Sequence, residues 1–261
     1  MRKLILLSVC LISLAFLINA CKSNSTSTPA TGPGSSYFPN GNGTSYKYSF
    51  IETDSANNQT SGIRSTTYSG TKTFNWVVYQ NEIDTVSFGD FSSVSNSLFV
   101  KSGDSVNFAI DTSGLSSSIP DSLLQYIKMS TSIKAFQFPL QENKSWQVFS
   151  ITISVSGVVI SIVNVTGTYI GMDQVPLNLT TGATTMSAAK IQYVLTLSFP
   201  NISNPLAPPT TQNYSAVAWL ADNVGMIKMQ GDGVILDAFT GGGTNFAGST
   251  VTQSLISYTI K

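Results

Sequence analysis

The chain contains no histidine. That absence removes Ser-His-Asp and Cys-His nucleophile pairs, zinc sites built on imidazole, and the usual general base near neutral pH. Cysteine is almost as scarce: there are two, Cys10 and Cys21, and Cys10 falls inside an apolar N-terminal run. No intramolecular disulfide is expected, so the core must hold by burial and strand pairing. Charge is sparse as well, with 13 basic and 13 acidic side chains and a formal net charge of zero. No segment gathers Lys or Arg, which argues against a nucleic-acid partner and against a polybasic membrane patch. Beyond residue 20, no apolar stretch reaches helical spanning length without polar interruption.

What is present starts at the N-terminus. Met1-Arg2-Lys3 is positive, residues 4–18 are almost purely apolar, and the run closes on Ile18-Asn19-Ala20-Cys21. This is the layout of a secretory signal peptide. The apolar run is shorter than the roughly 20 residues a bilayer core requires, so cleavage rather than retention is expected. The closing tetrapeptide resembles the lipobox of bacterial lipoproteins. The resemblance implies that Cys21 becomes the mature N-terminus and the site of lipid attachment, carrying acyl groups such as palmitate. Lys22 beside it implies, by analogy with lipoprotein sorting, transfer to the outer membrane. With Arg2 and Lys3 removed from the 13 basic residues, 11 remain against 13 acidic ones.

Residues 22–36, KSNSTSTPATGPGSS, hold no large apolar side chain. They cannot bury enough surface to offset their ordering entropy, so a disordered tether is expected. Its r.m.s. span would be about 20 Å and its full extension about 50 Å. The expected organisation is a signal peptide at 1–20, a lipidated flexible tether at 21–36 and a single β-rich domain at 37–261.

Within that domain, Tyr46, Tyr48 and Phe50 alternate with Lys47 and Ser49, the period of a half-buried strand. A polar loop at 54–60 leads to an expected partner at 63–78. Further strands are expected at 83–91, 97–101 and 105–110, with turns at Asn81-Glu82 and Ser102-Gly103-Asp104. One helix is expected at 120–129, capped by Ser118, with Leu123, Leu124 and Ile127 on its apolar side. A hairpin about Ser156-Gly157 should pair Val155 with Val158, Ile153 with Ile160 and Ile151 with Ile162, making one face wholly apolar. Residues 193–199, 213–220, 226–230, 234–239 and 251–260 read as later strands. The fold class is all-β: a curved antiparallel sheet closing as a half-barrel, barrel or sandwich, with one short helix.

Candidate chemistry is thin. Asp111-Thr112-Ser113-Gly114 is one residue off the strand-end Asp-Thr-Gly of aspartic proteases, and a second copy to supply the paired carboxylate is missing. Asp232 and Asp237 with Gly231 and Gly233 are better explained by turns than by calcium. Gly241-Gly242-Gly243 lacks the Lys and Ser/Thr of a phosphate loop. A Ser-Lys pair works without histidine in principle, but serines are too common here for proximity to mean anything. No catalytic, cofactor or metal residue is therefore assigned. Trp76, Trp146, Trp219, Met226 and Met229 suit core packing, or the lining of an apolar cavity under a curled sheet.

Two stretches carry a resemblance. The domain opens with Tyr37-Phe38-Pro39, a glycine-bearing turn and Tyr46-Lys47-Tyr48. Near its end stand Trp219-Leu220-Ala221-Asp222-Asn223-Val224-Gly225-Met226-Ile227-Lys228 and then Leu255-Ile256-Ser257-Tyr258. This resembles a loosely defined group of exported bacterial proteins, many of them lipoproteins, although Asn40 replaces an apolar residue and Tyr46 a Trp. The likeness implies a β-rich envelope domain akin to half-barrels that carry lipids or lipoproteins, and it brings no catalytic residue with it. Physically, the late motif reads as a hairpin in which Gly225 takes positive φ and Trp219 meets Ile227. The expected function is a non-enzymatic, envelope-anchored binding domain, monomeric, attached to the membrane through its lipid. An apolar ligand or partner would lie on its concave side. A surface protein recognising other macromolecules is the alternative, and an unusual hydrolase a third.

Overall fold

The computed structural model describes residues 35–110, 121–155, 158–199, 208–239 and 248–261. Cys21, Asp111-Thr112-Ser113-Gly114, Ser118, Ser156-Gly157 and the triple glycine lie outside the described residues. In chain order the strands are β1 (Ser45–Thr53), β2 (Gln59–Phe74), β3 (Val77–Phe88), β4 (Phe91–Ser102), β5 (Ser105–Ala109), β6 (Ile127–Met129) and β7 (Ser132–Gln137). They continue as β8 (Ser145–Val155), β9 (Val158–Leu179), β10 (Gly182–Phe199), β11 (Thr210–Ala221), β12 (Gly225–Asp232) and β13 (Thr250–Thr259). All belong to one antiparallel sheet, in the order β6-β8-β9-β10-β11-β12-β13-β1-β2-β3-β4-β5-β7. The all-β expectation holds, and the sheet is an open half-barrel.

Curling follows from where the large side chains point. Tyr46, Tyr48 and Phe50 of β1 are buried on the inner face, as their alternation predicts. The two edges then approach across the concave side. A bulge in β7 leaves Ala135 without an opposite residue on β5, and bulges free backbone groups from the ladder. Tyr193 on β10 donates its hydroxyl to the Ala135 carbonyl at 2.9 Å, and the Trp146 indole on β8 donates to the Lys134 carbonyl at 3.1 Å. These side-chain bonds form the seam that a strand ladder would form in a closed barrel.

The antiparallel order gives the half-barrel two ends. One gathers the incoming chain, the β2–β3, β4–β5, β9–β10 and β11–β12 turns and the C-terminus. The other gathers the β1–β2, β3–β4 and β8–β9 connections and α2 (Gly233–Phe239), which buries Ile235 and Leu236. The β9–β10 hairpin runs past its neighbours and folds back, so that the Thr180 amide donates to the Ile256 carbonyl at 2.8 Å. Residues 218–221 are consequently buried in succession, because the sheet is covered on both faces there.

Several expected elements shift. Asn81-Glu82 is not a turn but the middle of β3; the turn is Asn75-Trp76, where φ is 47° and 65°. That is the two-positive-φ geometry of a tight hairpin, hidden because Thr, Trp and Val around it all read as strand. The helix expected at 120–129 is a single turn, α1 (Asp121–Leu124), and Ile127 to Met129 pair with β8 instead. The expected strand at 234–239 is helix α2. A short apolar run such as Val234-Ile235-Leu236 does not distinguish the two by periodicity. On β8–β9, Val155 faces Val158 and Ile153 faces Ile160 as expected, but a bulge sets Ile151 against Val163 rather than Ile162. A second irregularity falls at Val148. The expected apolar face is kept, with Val163 and Val165 joining it in place of the bulged Ile162: Val163 is buried, while Phe149, Ile151, Ile153 and Ile160 are half-buried.

Candidate functional site

The concave interior is organised around charge. Arg64 and Thr66 on β2 and Glu82 and Asp84 on β3 alternate inward with Tyr68 and Val86, and all six are buried. The β2–β3 register sets Thr66 opposite Asp84 and Tyr68 opposite Glu82, leaving Arg64 diagonal to Asp84. Arg64 grips Asp84 with two parallel bonds, Nε to Oδ1 at 2.8 Å and Nη2 to Oδ2 at 2.9 Å. Thr66 donates its hydroxyl to Asp84, Glu82 lies 3.6 Å from the guanidinium, and Arg64 also stands over the Tyr48 ring.

This arrangement decides the charge states. Burial disfavours a charged guanidinium, but Asp84 beside it outweighs that and holds Arg64 above its ordinary value. Burial and then the neighbouring Asp84 push the Glu82 carboxyl well above the usual carboxylate range. The forked pair with Asp84 balances the Arg64 charge, and burial disfavours a second negative charge on Glu82. Burial likewise holds Tyr48, Tyr68 and Tyr193 well above the ordinary phenol value. The arrangement is suited to fixing strand register, because breaking one member leaves another buried without its partner.

The interior is also filled. Phe38 stands among Phe99, Tyr68 and Phe136, with ring centroids 5.2 to 5.8 Å away. Among the described residues, a void of about 50 Å³ touches Tyr46, Arg64, Glu82, Tyr193, Met226 and Met229. Pockets that hold drug-sized ligands run to roughly 300–1,000 Å³. The void is roomy enough for ordered water and too small for an acyl chain.

The singled-out residues disperse. Met226 and Met229 line the void, and Trp146 belongs to the seam. Trp219 lies on the convex face, where Asp173 accepts its indole N–H at 3.1 Å and Lys190 and Lys228 stand 5.5 and 5.0 Å from its ring. Its cross-strand partner is Lys228, not Ile227, because a bulge follows Trp219. Trp76 is 98% exposed at the β2–β3 tip, so it lines no cavity. Asp232 accepts the Ser215 amide at 2.6 Å, and no group of three or more His, Cys, Asp or Glu gathers among the described residues. Sequence reasoning missed Arg64, Glu82 and Asp84. Their signal was charge placed in phase with Tyr68 and Val86 on an inward face.

The two ends of the sequence resemblance meet here. The Asn223 amide donates to the Ser36 carbonyl at 2.8 Å, Tyr46 donates to the Pro39 carbonyl at 3.0 Å, and Tyr48 donates to the Met226 carbonyl at 3.0 Å. Gly225 has φ of 97°, as expected, and a Cβ there would stand 3.0 Å from the Tyr46 hydroxyl. The opening segment and the late hairpin thus lock one another.

Comparison with known proteins places the chain beside solved structures of exported bacterial proteins. An inferred exported protein with a YmcC-like fold from Bacteroides fragilis is 11% identical, covering 85% of this chain and 98% of that one, with a TM-score of 0.43. An inferred lipoprotein from Parabacteroides distasonis is also 11% identical over the same shares, with a TM-score of 0.42. The hypothetical lipoprotein YmcC from Escherichia coli is 12% identical, covering 81% of this chain and 84% of that one, with a TM-score of 0.29. No family model matches the chain, and no curated protein does either.

Proposed function

We propose that this chain is a non-enzymatic lipoprotein of the bacterial cell envelope, held in the outer membrane by an acylated Cys21. Its β-domain engages an envelope partner through its surface. The observation that carries this reading is the interior: Arg64 and Asp84 neutralise one another, aromatic rings occupy the concave side, and the void is about 50 Å³. An apolar ligand on that side would have to displace Phe38 or Tyr193, each already packed or bonded. A partner has a better landing place on Ile151, Ile153 and Ile160, which are half-buried and share the face of Tyr193 but lie further along, toward the end opposite the incoming chain.

Photo-crosslinking in intact cells tests the proposal, with the crosslinker at position 160. A discrete protein adduct that disappears with Ile153→Ser is expected. A free domain with no adduct would refute partner engagement at this face.

A further inference from the structure

The β2–β3 hairpin is longer than the sheet that carries it. β1 last pairs at Ser45 with Thr67, and β4 last pairs at Phe99 with Gln80. Beyond those rungs Lys72 pairs with Tyr79, Thr73 with Val78 and Phe74 with Val77, and among the described residues these pairs have no further strand on either side. At about 3.3 Å per residue the arm projects roughly 10–13 Å past its neighbours. Its apex is Asn75-Trp76, both at positive φ. Trp76 is 98% exposed and Val77 41% exposed, and residues 73–81 carry no charge. Among the described residues, no packing contact accounts for a bare indole at the end of such an arm.

The arm also has a fixed relation to the incoming chain. The Gln80 side-chain Nε2 donates to the Asn40 backbone carbonyl at 3.0 Å, and the Asn40 Nδ2 donates back to the Gln80 Oε1. The Gly43 amide donates to the Tyr68 carbonyl at 2.8 Å, and Asn42 accepts the Gly70 amide at 3.1 Å. Lys101 donates to the Phe38 carbonyl at 2.8 Å. The segment arriving from residues 22–36 therefore clamps the base of the arm, and both lie at the same end of the half-barrel. The aromatic tip at the opposite end differs: Phe88 and Phe91 pack on each other at 4.8 Å and flank Asp90.

We propose that the β2–β3 arm is a membrane-docking element whose tip, Phe74-Asn75-Trp76-Val77, sits at the headgroup–acyl boundary of the bilayer holding the Cys21 anchor. This rests on the lipoprotein reading above. As an unfolded tether, the 13 residues at 22–34 would have an r.m.s. span of about 20 Å, which keeps this end of the domain within reach of the surface. Trp and Tyr favour that boundary because their rings are amphipathic, and the uncharged tip enters without burying an ion. Docking would orient the domain, presenting its isoleucine-bearing end away from the membrane.

The test uses the full lipidated protein in phosphatidylethanolamine–phosphatidylglycerol vesicles with acyl chains brominated near the headgroup. Acylation of Cys21 is measured on the same preparation by peptide mass. The expected result is an acylated Cys21 and tryptophan emission quenched by bromine, with the quenched component absent from Trp76→Phe. Trp146 and Trp219, half-buried and 8% exposed, supply the unquenched background. Acylated protein whose emission is indifferent to bromine overturns the docking proposal and leaves the anchor standing. That includes the case in which Trp76 is shielded from aqueous iodide, which would mean that a protein covers it. An unacylated Cys21 overturns the anchor and the docking proposal with it.

Discussion

Replacing Glu82 by Gln should stabilise the domain, and by an amount that grows with pH. Burial first, and Asp84 second, raise the Glu82 carboxyl well above its ordinary range in the folded protein. In the unfolded chain the same group titrates near about 4.3. Above that value the native state holds a proton that the unfolded state has released, so the stability attributable to Glu82 falls as pH rises. For one proton the slope is about 1.4 kcal/mol per pH unit, continuing until the folded-state value is passed. Gln is isosteric with the protonated acid, does not titrate and can still donate toward Asp84. The advantage of E82Q over the parent should therefore widen as pH rises above the unfolded-chain value, at a slope of up to about 1.4 kcal/mol per pH unit. Urea unfolding followed by circular dichroism at several pH values measures it, and groups titrating alike in both proteins cancel in the difference. Parallel stability profiles, or an E82Q protein less stable at neutral pH, would refute a protonated Glu82.

Three further outcomes follow from named contacts. Tyr193→Phe removes the bond to the Ala135 carbonyl freed by the β7 bulge and should cost about 1–3 kcal/mol in the same unfolding assay. Gly225→Ala forces a side chain into φ of 97° with its Cβ 3.0 Å from the Tyr46 hydroxyl, and should cost about 1–3 kcal/mol. Cys21→Ser should remove the protein's acylation without changing its thermal unfolding; fractionation and melting read the two effects separately, and retention of acyl groups would refute the assignment.

The parts of the fold legible in the sequence were those where one local signal acted alone. Tyr46, Tyr48 and Phe50 alternated cleanly, and Gly225 stood at a turn that demanded positive φ. The parts that were not legible depend on pairing. Nothing local says that Ile162 and Val148 are bulged, or that Asn75-Trp76 turns the chain inside a run of β-favouring residues. Whether Val234-Ile235-Leu236 is helix or strand is settled by its place at the end of the half-barrel. The interior was misread for a related reason. Glu82 beside Asn81 looked like a turn because charge usually marks the surface, and only the β2–β3 register brings Arg64 to Asp84. Trp76 is the converse case, an aromatic residue expected to pack and found bare.

The central claim is that the half-barrel has a filled, self-neutralised interior that holds no apolar ligand. Native mass spectrometry of the full-length protein, taken from membranes in mild detergent, tests it most directly. The account predicts the mass of the chain plus covalently attached acyl groups, with no apolar molecule co-purifying in stoichiometric amount. A non-covalent lipid bound one to one, and displaced when Phe38→Trp further fills the interior, would contradict it.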